Sequence, residues 1–169
     1  MAPLGLHVSS AIAKRLLSTP PTNSPRPVSS VLTLTGLGAI LFSTVHFLTH
    51  RVFPSEPTAP IHAVGPAELD WEFVKVGLHN WPWQSILLYG GLVGCVLLHS
   101  AEGMNIIAST WAFPRYLRSS KKTRKIAAVV GAVPILSGLW FVWKEPLMTF
   151  SSLARRFEAV FTCMPIYRL

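Results

Sequence analysis

Three apolar stretches, about 31–52, 85–111 and 126–143, constrain this chain more than any other feature. The first is about 22 residues, or about 33 Å of helix, and the second about 27 residues, or about 40 Å, against a bilayer hydrocarbon core of about 30 Å. Only 13% of the residues are charged, 50% are apolar, and the mean hydropathy is +0.44. A water-facing surface calls for about 25% charge, so much of this surface is expected to face hydrocarbon. The predicted fold is therefore an all-α membrane protein. A three-span helical bundle occupies 31–143, a flexible Pro- and Ser-rich arm precedes it over 1–30, and an amphipathic helical tail follows over 144–169.

Charge sets the expected topology. Fifteen Lys and Arg against seven acids give +8. The densest basic run, Arg115 to Lys125, lies between two apolar stretches, where it suits lipid headgroups; no nucleic-acid motif accompanies it. Lys and Arg number three in the arm and six in the second loop, against two in the first loop and four in the tail. The arm and the basic loop are thus predicted on the cytosolic side. An acid-free start with Lys14 and Arg15, in which Leu4, Val8, Ile12 and Leu16 line one helical face, is also similar to a mitochondrial transit peptide. Trp71, Trp81 and Trp83 are expected as a collar at headgroup depth, and the stripe Phe150, Leu153, Phe157, Val160 and Met164 as a helix on the membrane or against the bundle.

Inside the spans, Gly91, Cys95, His99 and Gly103 recur every four residues, the face expected to meet another helix. The ionisable residues His46, His50, His99 and Glu102 are costly in hydrocarbon and form the candidate intramembrane site. One reading makes His99, with His46 or His50, the axial ligands of a haem b; the other has the imidazoles hydrogen-bonding across helices and satisfying Glu102. No metal-site spacing, catalytic triad, Gly-x-Ser-x-Gly or phosphate loop is present, so no catalytic residue is assigned and an enzyme is not expected. The two cysteines, Cys95 and Cys163, offer no disulfide framework. In the arm, Pro25-Arg26-Pro27 is a Pro-x-Pro able to present an extended segment to a partner.

The run Asp70-Trp71-Glu72-Phe73-Val74-Lys75, then Gly77-Leu78, Ser85-Ile86-Leu87-Leu88-Tyr89 and His99-Ser100-Ala101-Glu102-Gly103, resembles the transmembrane domain of the fungal mitochondrial adapter proteins over about residues 31–112. The resemblance implies an adapter in the mitochondrial outer rather than inner membrane, N-terminus cytosolic, at an organelle contact. It would recruit a lipid-transfer protein of the vacuolar-protein-sorting class through Pro25 and Pro27 and serve lipid homeostasis. The chain has fewer spans than longer family members and lacks hydrophobic anchors before Pro25. His50-Arg51 and His99 to Gly103 are also similar to the cytochrome b anchors of succinate dehydrogenase, which implies the haem b alternative.

Overall fold

The computed structural model describes residues 2–18, 26–111 and 119–169. Among them it is all-helical: α1 Ala2–Leu17, α2 Val31–Phe47, α3 Trp71–Asn80, α4 Pro82–Trp111, α5 Lys121–Lys144 and α6 Ser151–Thr162. Residues 2–17, read from sequence as part of a flexible arm, are thus a helix, and its lack of Pro beyond Pro3 permits this.

Three helical stretches, Val31–Ser55, Pro82–Thr110 and Lys121–Lys144, are long and apolar enough to cross a membrane. The third exceeds the apolar stretch read from sequence because the polar run Lys121–Lys125 and Lys144 extend the helix outside it. Ser30 and Ser120 cap α2 and α5 by accepting from Thr33 N and Thr123 N at 3.3 and 3.1 Å, satisfying donors that a helix start leaves open. Pro82 opens α4, where its missing N–H costs nothing. α2 runs on through a π turn, Leu48–Val52, and a 3-10 turn, Phe53–Ser55, in which Pro54 ends it.

α4 is the central long helix, with α2 and α5 packed on it. The stripe of Gly91, Cys95, His99 and Gly103 faces α2, as its spacing predicts: Phe42 lies over Gly91, Cys95 against Gly38 and His99 against Gly36. A Cβ on Gly36 would come within 2.9 Å of the His99 ring, so only glycine admits this approach. The outer faces remain uncovered. Leu41 is 62% exposed, Val130 65% and Phe141 68%, a surface that water would reject and hydrocarbon accepts.

The buried core lies elsewhere, in a cap at the end where α2 and α5 finish and α4 begins. Ile61, Val64, Phe73, Val76, Phe157, Val160, Phe161 and Tyr167 form it. The amphipathic face of α6 is therefore buried on α3, the packed arrangement of the two that its stripe allows: Phe73 stacks on Phe161 at 4.5 Å and meets Phe157 edge-on at 5.1 Å. α3 supplied the complementary apolar surface that lipid would otherwise provide. Of the three tryptophans expected as a collar, one is drawn into the cap. Trp71 and Trp83 are exposed, but Trp81 packs against Phe161 and Tyr167.

Ion pairs lock the cap. Lys75, buried, meets Glu72 at 2.5 Å and Glu145 at 3.1 Å, and Glu72 also accepts from the Met148 and Thr149 N–H groups. Arg156 joins α6 to Glu68 at 2.7 Å and donates to the Ile61 carbonyl. That carbonyl precedes His62 and Ala63, both left-handed at φ 55° and 50°, so the guanidinium holds a loop conformation that L-residues resist. The Arg156 hydrogen bond, then the Gly65 N–H, holds the Glu68 carboxyl below its ordinary range. Burial raises Glu72, but its bonds from Lys75 and Met148 N–H outweigh that and leave it lowered, while Glu72 raises Lys75.

Candidate functional site

The residues singled out from sequence fall into two polar clusters at opposite ends of α2. At the cap end, the i, i+4 spacing of His46 and His50 puts both imidazoles on one face, stacked with centroids 4.2 Å apart. His50 Nε2 lies 3.1 Å from the Tyr89 hydroxyl of α4, and Phe73 of α3 closes over the ring at 5.1 Å. The π turn beside them rotates Thr49 inward to 2% exposure, and its hydroxyl has no partner among the described residues. A cavity of about 10 Å³ lies there, lined by His46, Thr49, His50, Tyr89 and Tyr167. One water fills such a volume and finds several polar partners in it. Tyr89 and Thr49 were missed from sequence, since an i, i+4 pattern names residues on one helix and not their partners on the next.

At the other end, His99 Nδ1 lies 3.0 Å from the Leu32 carbonyl, in the first turn of α2. Glu102 does not pair with the imidazoles. It accepts from Arg124 Nε of α5 at 3.0 Å, and Arg124 also donates to the Ser119 carbonyl. Asn105 Oδ1 accepts from the N–H and hydroxyl of Ser119. Arg124 reads from sequence as one charge of a headgroup loop; that Glu102 is the one acid among seven bases at this end, among the described residues, is the signal that an ion pair with one of them is needed.

This separation decides the haem ligand question. Leu32 and His46 are about 14 residues apart on α2, about 21 Å of helical rise. His99 sits at the level of Leu32 and Gly36, so it cannot face one iron together with His46 or His50. The reason is register. The first turns of α4 belong to the cap, where Ser85 is fully buried, and this moves His99 towards the far end of α2. His46 and His50 likewise do not converge with Glu102, and no cluster of His, Cys, Asp or Glu suited to a metal occurs among the described residues.

Of the Pro-x-Pro segment, Pro25 lies outside the described residues. Pro27 is exposed, and its carbonyl accepts from Ser30 N at 3.1 Å, leading straight into α2. The Arg26 carbonyl accepts from Arg15 of α1 at 3.1 Å.

The charge divides between the two ends. Among the described residues, the arm and the start of α5 hold seven Lys and Arg with Glu102 as the acid beside them, whereas the cap end holds six bases and six acids. The net positive charge of the described residues therefore stands at one end of the long helices. Fold and polar groups together define an all-helical chain with three helices apolar enough for a membrane, a neutral cap at one end and a basic face at the other. No family model matches the chain, and the searches of curated proteins and of solved structures gave no match.

Proposed function

We propose that this chain is a membrane anchor and adapter whose three long helices cross the outer mitochondrial membrane, with the basic face and arm in the cytosol and the cap on the other side. The arm recruits a lipid-transfer protein of the vacuolar-protein-sorting class through Pro25 and Pro27, at an organelle contact serving lipid homeostasis. The observation that carries this reading is the placement of the arm: Arg26, Pro27, Val28 and Ser29 are all exposed, directly before α2, at the end that holds the net positive charge of the described residues. Positive charge at one end of a span favours its retention on the cytosolic side. A Pro-rich segment beside a rigid helix start offers a partner a segment with little entropy left to lose. The role uses no catalytic group and no cofactor.

A pull-down with the lipid-transfer partner, comparing the wild type with Pro25→Ala/Pro27→Ala, tests it. Recruitment is expected to fall at least about tenfold, the loss of about 1.4 kcal/mol. Unchanged recruitment would remove the arm from the account.

A further inference from the structure

At the basic end a cleft of about 900 Å³ opens between the start of α2, the last turns of α4 and the start of α5. Arg26, Lys121, Arg124 and Lys125 line it, and Glu102 is the only acid lining it among the described residues. Glu102 is already bound to Arg124, and no carboxylate pairs with Arg26, Lys121 or Lys125 among the described residues. The cleft is thus a concentration of positive charge whose one internal counter-charge is spent on a neighbouring helix.

Its other walls suit the same sign of ligand. Val31 and Lys121, the first residues of α2 and α5, both line it, so two helix starts add partial positive charge from their open N–H groups. Asn105 and Ser109 make part of its wall polar. The volume lies in the range of a small-molecule site, large enough for a phosphate with its glycerol and head substituent. In the two turns after Lys125 the helix surface becomes apolar and uncovered: Ile126 is 52% exposed, Val129 61% and Val130 65%. A soluble anion would find only half of these features useful. A ligand with an anionic head and hydrocarbon tails uses all of them, and it is the solvent next to this surface.

We infer that this cleft is a binding site for the phosphate-bearing headgroup of an anionic phospholipid, whose acyl chains lie along the exposed apolar face of α5. The inference rests on the long helices crossing a bilayer and not on recruitment through the arm. Lys121 and Lys125 contact the phosphate, while Arg124 is a positioning residue, held by Glu102 and the Ser119 carbonyl at the cleft wall.

The test uses the full chain reconstituted in nanodiscs of phosphatidylcholine mixed with phosphatidylserine, released into detergent, with retained lipids counted by native mass spectrometry. Phosphatidylserine should be retained over phosphatidylcholine. Lys121→Gln/Lys125→Gln should weaken that preference about 30-fold, the factor for two bases at a membrane surface. Lys121→Arg/Lys125→Arg, which keeps the charge, and Arg155→Gln, at the cap end, should leave it intact. Excess inorganic phosphate should not displace the lipid. Equal retention of both lipids, or a Lys121→Gln/Lys125→Gln variant that retains phosphatidylserine like the wild type, would overturn the site. Displacement by phosphate would overturn its assignment to a lipid. Failure of the chain to enter nanodiscs at all would overturn the membrane crossing on which it rests.

Discussion

Truncating Phe157 to alanine loosens α6 from the rest of the cap, because its side chain is fully buried and every neighbour named for it belongs to the cap. Removing a buried phenylalanine costs about 3–5 kcal/mol, the lost transfer energy plus a cavity that rigid neighbours do not refill. The edge-on contact with Phe73 at 5.1 Å lies within that cost. At about 4 kcal/mol, and about 1.4 kcal/mol per tenfold, the population with α6 detached rises roughly 700-fold. α6 carries Arg155 and Arg156, and Arg156 is tied to Glu68 and the Ile61 carbonyl while the cap is closed. Trypsin needs an extended chain, so cleavage after Arg156 reports detachment directly. The assay is the rate of that cleavage in detergent, with Phe150→Ala as control, since Phe150 is 83% exposed and its truncation should cost less than about 0.5 kcal/mol. If the two variants were cut at the same rate, the burial of α6 on α3 would be wrong. α6 would then belong on the membrane after all.

Further outcomes follow from the same contacts. Gly36→Ala places a Cβ 2.9 Å from the His99 ring and should cost about 1–3 kcal/mol in thermal unfolding in detergent, whereas Gly90→Ala, inside α4 with nothing within 4 Å, should carry no such cost. Glu102→Gln removes the carboxylate that binds Arg124 and should cost about 1–3 kcal/mol; a double-mutant cycle with Arg124→Gln should recover much of it, and additive costs would refute the pairing. Because Glu68 and Glu72 titrate below the ordinary 4.5, their contribution is full above that value and lost as pH falls through their lowered values. Lys75 titrates above the ordinary 10.5, so its contribution is full below that and lost as pH rises past its raised value. In a variant with the other five tryptophans changed to Phe, Trp81 fluorescence should therefore report an intact cap between these limits and its loosening in acid first; a signal flat down to pH 2 would contradict the ion pairs.

The long helices are legible because a run of apolar residues of bilayer length has few other uses, and the face of α4 against α2 is legible because small residues at every fourth position have a packing reason. The tail was ambiguous for a physical cause. An apolar stripe such as Phe157, Val160 and Phe161 suits a lipid surface and a protein surface equally, and only the position of Phe73 and Val76 on another helix decides between them. The histidines misled for a related reason. The spacing within each apolar stretch does not show that α4 begins inside the cap, which places His99 beside Leu32 and not at the level of His46. The partners of Glu102 and His50, namely Arg124 and Tyr89, depend on helix register, which hydropathy does not encode.

The proposed function requires three crossings that put the basic face and the neutral cap on opposite sides of one bilayer. Tags placed at residues 1 and 169 of the chain, in sealed membranes treated with protease before and after detergent, measure this directly. One tag should be lost at once and the other only after detergent opens the membrane. Loss of both tags before detergent, or protection of both, would contradict it.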